Sequence, residues 1–229
     1  MREIIIDIET NMGASHIWCA VTKDLSTQEV KVWTEAEKLQ GFLAKESTII
    51  GHNVIGFDAP VLKKHWNIQL DNHQIKDTLV MSRLLKPTIE NGHSLRAWGQ
   101  RLGKNKDDFK DFDGGLTSEM VRYCKQDVEV TATLYKRLTN DLLGWGKSVD
   151  LEHRVALIVK QQEDTGFKLN VRQAMSLLVG WKNRINEIQC ELQQVFKPIV
   201  SVRFSEKTGK KLKDKTEVFN PASRKQIAE

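Results

Sequence analysis

The segment Ile4-Ile5-Ile6-Asp7-Ile8-Glu9-Thr10 constrains this chain more than any other. β-branched residues at this density fit a pleated strand better than a helix. Alternate strand side chains point to opposite faces, so Ile4, Ile6 and Ile8 fill one face while Asp7 and Glu9 leave the other together. A D-x-E pair alone decides little, because many strands simply end in charge. The rest of the chain must say whether further acids join these two.

The pattern continues as a three-strand meander. His16 to Thr22 and Glu29 to Trp33 read as strands, separated by turns at Thr10 to Ser15 and Lys23 to Gln28. A helix from Glu35 to Lys45 then leads to a short apolar strand, Thr48 to Ile50, closed by Gly51. Hairpins followed by alternating helix and strand signals predict an α/β fold, a mixed sheet with helices packed on it. The middle of the chain is mostly helical, from about Phe57 to Trp66, from an Asp77 cap, and from a Ser94 cap to Gly103. Lys104 to Gly115 reads as a charged surface loop. Its Asp107, Asp108, Asp111 and Asp113 do not make a calcium loop, whose spacing would need acids where Phe109 and Met120 stand. Thr117 or Ser118 caps a long helix to about Leu143, and Gly144 to Lys147 marks the expected end of a first domain, 1–146.

Beyond it, Leu151, Val155, Ile158 and Val159 form one helical stripe. Val171 through Val195 form a longer one, capped by Asn170, and such stripes are expected to pack on other helices. Ile199 to Phe204 and Leu212 to Phe219 can pair across a basic turn, Ser205 to Lys211.

Two further elements carry chemistry. Asn53-x3-Phe57-Asp58 puts an acid at the start of a helix just after a buried strand, where its bland role is to meet the helix dipole. Tyr123-x3-Asp127 puts a phenol and a carboxylate one turn apart on one face of the long helix, whereas Tyr135 has Thr139 at that offset. His52 reads as a locally bonded structural histidine and Asp77 as a helix cap before a substrate contact.

Asp7-Ile8-Glu9-Thr10, Asn53-x3-Phe57-Asp58 and Tyr123-x3-Asp127 together resemble the three motifs of the four-carboxylate 3′–5′ exonucleases of ribonuclease-H-like fold, in the variant with a tyrosine. His93-Ser94-Leu95-Arg96-Ala97-Trp98-Gly99-Gln100-Arg101-Leu102-Gly103, with Lys106 to Lys110 after it, resembles the proofreading domain of short-tailed-phage replicative polymerases of the polymerase I type. Asp150 to Asn170 resembles the segment that joins such a domain to its polymerase, and Phe219 to Ile227 the start of the thumb. The resemblance implies that 147–229 holds linker helices, a small β-hairpin and the start of the thumb, with the polymerase domain absent after Glu229.

It also implies two Mg²⁺ or Mn²⁺ ions, which suit carboxylates without His or Cys and would relieve the repulsion among four acids. Asp7 would bridge both ions, Glu9 and Asp127 would hold the one on the nucleophile side, Asp58 would hold the other through water, and Tyr123 would orient the attacking water. Thr10, Asn53 and Phe57 would touch the terminal nucleotide. The expected substrates are a single-stranded DNA 3′ end and primer–template DNA; a processivity factor is not readable. An RNA-trimming exonuclease of the same fold, and a catalytically silent binding module, remain as alternatives. The motifs do not read a 2′-hydroxyl, and retention of all four acids with Tyr123 speaks against the silent module.

Charge sharpens the reading. The net charge is +5, and residues 197–229 contain nine Lys or Arg against four Asp or Glu, so the whole excess lies there. A neutral body with a basic end favours a polyanion partner, and Lys210, Lys211 and Lys213 are the expected phosphate contacts; a solvated Lys-rich loop is the plain alternative. No run of 18 apolar residues and no signal peptide is present, so no membrane association is expected. Cys19, Cys124 and Cys190 lack metal-site spacing and read as buried thiols of a reducing compartment, here the infected bacterial host's cytoplasm.

Overall fold

The computed structural model describes residues 2–44, 47–70, 75–104, 109–205, 207 and 209–228. Lys45, Lys106, and Glu206 and Thr208 of the basic turn lie outside the described residues. The isoleucine-rich segment forms β1 (Arg2–Thr10), followed by β2 (Ile17–Asp24), β3 (Val30–Trp33), α1 (Ala36–Leu43), β4 (Ser47–Gly51), α2 (Asp58–Trp66) and β5 (Ile75–Asp77). These make a five-stranded sheet in the order β3-β2-β1-β4-β5. β1 lies at its centre, antiparallel to β2 and parallel to β4, so the sheet is mixed.

Both faces are covered. Ile4, Ile6, Ile8, Ala20 and Ile49 pack with Leu39, Val54 and Leu62 on one side. Ile5, Val21, Cys19 and Ile50 pack with Cys124 and Val128 on the other. Ile5 therefore shares a face with Asp7 and Glu9 and is fully buried there against Cys124 and Val128, while the acids border a cleft farther along the strand.

That helix is α5 (Ser118–Asp141), ending two residues before the expected Leu143. It follows α3 (Thr78–Leu85) and α4 (Leu95–Arg101), and precedes α6 (Gly146–Thr165). The caps named from sequence are made: Asp77 accepts from the Leu79 N–H at 2.9 Å, Ser94 from Ala97 at 3.2 Å, and Thr117 from Met120 at 3.1 Å. α6 packs against α3 and β5. Its buried residues are Val149 and His153, so the stripe Leu151, Val155, Ile158 and Val159 is exposed rather than packed on another helix.

The chain divides into two compact units, 1–166 and 167–229. In the second, Asn170 caps α7 (Val171–Val195), accepting from the Gln173 N–H at 3.1 Å. The α7 stripe is exposed, with no fully buried residue, which corrects the helix-packing expectation. The hairpin forms, shorter than its sequence signal, from β6 (Ile199–Ser201) and β7 (Lys215–Glu217), with a further bridge between Phe204 and Lys211. Phe196 stacks on Phe219 at 4.3 Å, and α8 (Arg224–Ala228) follows. Cys19 and Cys124 are buried, but Cys190 on α7 is exposed, contrary to its expected burial. No helix among the described residues is long and apolar enough to cross a membrane.

Candidate active site

Where β1 ends, its register with β2 slips between Glu9 and Thr10. Such a bulge re-aims side chains at the rim of a sheet. Asp7 and Glu9 stand beside this point, opposite Val21 and Cys19. The β4–α2 turn approaches from the other side, and it is tight enough to dictate its residues. A Cβ on Gly51 would lie 2.7 Å from the Val54 Cβ, and Asn53 adopts φ 64°, a left-handed conformation that Asn tolerates better than most residues.

The turn is fixed by Asp77. Its two carboxylate oxygens accept from the N–H groups of Asn53 at 2.9 Å and Ile55 at 3.0 Å, besides capping α3. The cap role read in the sequence is thus real but incomplete. The turn delivers Asp58 as the first residue of α2, where Oδ1 accepts from the Ile8 N–H at 3.2 Å.

Asp7, Glu9, Thr10, Asn53, Phe57, Asp58, Tyr123 and Asp127 all border one cleft of about 320 Å³. Three segments far apart in sequence therefore converge as the motif order implies. Glu9, Asp58 and Asp127 are only 6%, 4% and 5% exposed, so three carboxylates are held almost out of water. Burial, together with the charges of Asp77 and Asp127, pushes the Asp58 carboxyl up to about 7 despite its backbone bond. A cation would relieve this cost, and hard oxygen donors fit a divalent ion. Among the described residues, the potential ligands with atoms all within 4.8 Å of one another are Asp7, Glu9 and Cys124. Asp58 and Asp127 border the same cleft outside that group. The Cys124 thiol donates to Asp7 Oδ2 at 3.4 Å, and burial raises its pKa.

The two tyrosines of α5 have different surroundings. Tyr135 donates its hydroxyl to Glu3 at 2.7 Å, tying the helix to the start of β1, while Tyr123 faces the cleft. Around Tyr123 stand Phe109 and Phe112, with ring centres at 5.8 and 6.2 Å. The stretch expected to be a charged surface loop thus contributes an aromatic wall. It is pinned by the Trp18 indole N–H donating to the Phe112 carbonyl at 2.8 Å, and by the Met12 N–H donating to Asp113 at 3.0 Å. Sequence reasoning missed Phe112 because acids outnumber aromatics in its stretch, where Phe109-x2-Phe112 was the available signal, and missed Met12 because it stands in a segment read only as a turn. Thr10 donates to the Asn11 carbonyl at 3.0 Å, and the His52 Nδ1 meets the Thr78 hydroxyl at 2.9 Å, the local bond expected of it. Lys210, Lys211 and Lys213 belong to the second unit, exposed beside the hairpin, with Lys211 3.6 Å from Asp214.

Comparison with known proteins gives a consistent result. A family model described as 3′–5′ exonuclease matches residues 1–143. The DNA-directed DNA polymerases of Escherichia phage T7 and Enterobacteria phage T3 are each 27% identical over 84% of this chain, which spans 37% of their length. Among solved structures, Brucella melitensis NrnC with bound Mg²⁺ aligns with a TM-score of 0.56 and 19% identity, covering 72% of this chain and 86% of that one. This likeness is one of fold, the ribonuclease-H-like mixed sheet flanked by helices.

Proposed function

The chain belongs to the 3′–5′ exonuclease family, and on that footing we propose that it removes nucleotides from DNA 3′ ends as the proofreading part of a phage-type DNA polymerase. One observation carries the reading: acids from β1, α2 and α5 border a single cleft together with the Tyr123 phenol. The kinship with two phage DNA polymerases supports DNA as substrate and a polymerase domain as covalent partner.

In this reading Asp7, Glu9, Asp58 and Asp127 would hold two Mg²⁺ or Mn²⁺ ions, whose charge would acidify a water and neutralise the phosphate oxygens. Burial raises the Asp58 carboxyl to about 7, and a cation bound there would favour its charged form. Tyr123 orients the attacking water by a hydrogen bond. Phe57 and Phe112 offer faces for the terminal base, and Asn53 and Thr10 polar contacts to its sugar. The P–O bond to the penultimate nucleotide's 3′ oxygen breaks, releasing a nucleoside monophosphate. The basic hairpin, with Lys210, Lys211 and Lys213, grips duplex phosphates, and the division of labour follows as an exonuclease domain over 1–146 and a linking segment over 147–229.

The test is degradation of a 3′-labelled single strand with Mg²⁺, with EDTA, and by Asp7→Ala. Stepwise loss from the 3′ end in the first case alone supports the reading, and activity in all three overturns it. A matched ribo-strand in the same assay separates DNA from RNA preference.

A further inference from the structure

The cleft with Tyr123 is not the only depression at the acids. A second, of about 500 Å³, is lined by Asp7, His52, Asn53 and Asp127 and continues to Leu79, Arg83, His93, Ser94 and Leu95. The two share Asp7, His52, Asn53 and Asp127, so the acids stand where they meet. Phe57, Phe112 and Tyr123 border the first and not the second; Arg83 borders the second and not the first, and also a neighbouring groove that carries Glu152 and Lys160 of α6. The second depression offers a way out for a strand whose terminal nucleotide fills the aromatic side.

Along that exit the positive charge is sparse. Among the described residues lining either cleft, Arg83 is the one arginine, and no lysine is present. It sits in the last turn of α3, one turn beyond Leu79, is exposed, and takes no hydrogen bond or ion pair from another described residue. His93 is otherwise engaged, with Nδ1 at 2.7 Å from the Ser82 hydroxyl and Nε2 at 3.2 Å from the Pro87 carbonyl. An unengaged guanidinium beside a carboxylate-lined groove suits a phosphodiester, which it meets bidentately.

We propose that Arg83 grips a backbone phosphate upstream of the scissile one, so that it measures whether more than one nucleotide precedes the cut. This rests on the exonuclease reading above. Arg83 acts on strand binding and leaves the chemistry of the cut to the acids.

Chain length makes the test. Thymidylyl-thymidine carries only the scissile phosphate, whereas tetrathymidylate carries upstream ones. Arg83→Ala should raise KM for the tetranucleotide about tenfold more than for the dinucleotide, with kcat on the tetranucleotide little altered. The slope of log affinity against log salt for labelled tetrathymidylate should flatten by about 0.7, the share of one single-strand phosphate. Equal effects on both lengths, or an unchanged salt slope, overturn the proposal. A wild-type enzyme that fails to cut either substrate overturns the exonuclease reading instead, and the binding titration still decides the role of Arg83.

Discussion

Two regions of this molecule handle charge in opposite ways. In the first unit, Glu9, Asp58 and Asp127 are withdrawn from water around one cleft, held by a sheet and helices packed on both of its faces. In the stretch 197–229 nine basic residues are spread over a short hairpin and its flanks with little burial beneath them. A buried charge is costly unless matched, so each acid strongly affects its neighbours. An exposed lysine acts through a screened field and adds its small share to those of others. Single substitutions should therefore be decisive in one region and incremental in the other.

The sharpest break comes from Asp7→Ala. It should abolish 3′-end degradation almost entirely while thermal stability without metal holds or rises, since one of several mutually repelling acids is gone. Near wild-type activity in this variant would remove Asp7 from the site, and a large loss of stability would recast it as structural.

Tyr123→Phe tests whether the cleft's neutral polar group matters as its acids do. Rate should fall by about 10 to 1000-fold, because the phenol orients a water without setting its acidity, and metal affinity measured by titration should barely change. Full activity would leave Tyr123 as a packing partner of Phe109 and Phe112.

On the basic side, replacing Lys210, Lys211 and Lys213 together by Ala should weaken duplex binding and flatten the slope of log affinity against log salt by up to about 2.7. An identical slope would identify the hairpin as a solvated loop. Lys211 should contribute least of the three, being already near Asp214.

The smallest expected effect concerns His153, whose Nε2 accepts from the Asp77 N–H and whose Nδ1 donates to the Val149 carbonyl, both at 2.7 Å. Burial lowers its pKa, so the folded state holds it neutral and the unfolded chain binds the proton more readily. Its contribution is therefore present above the ordinary histidine range and lost as pH falls through and below it. Asp58, pushed up to about 7, opposes this in the same window, so the check is a comparison of proteins: between pH 7.5 and 5.5 the denaturation midpoint of wild type should shift more in the destabilising direction than that of His153→Gln, and equal shifts would contradict the neutral ring.

Much of this was legible in the sequence where one residue type served one purpose. Alternation in Ile4 to Glu9 announced a strand with two acids on one face, and Asp77, Ser94, Thr117 and Asn170 announced helix starts, because capping is local. Features that depend on distant partners were less visible. The burial of Ile5 depends on Cys124 and Val128 of α5, more than a hundred residues away, and the exposure of Leu151, Val155, Ile158 and Val159 depends on which face of α6 meets α3. The aromatic wall at Phe112 was hidden within an acidic stretch, and Arg83 is an ordinary helix residue until the cleft beside it is seen.

The carboxylate of Asp77 joins two pieces of backbone that border neighbouring depressions at the acids. It fastens the first turn of α3, the helix that carries Arg83, to the turn that carries Asn53. One side chain therefore sets the spacing between these two segments, so that removing it would loosen a turn and a helix start at once.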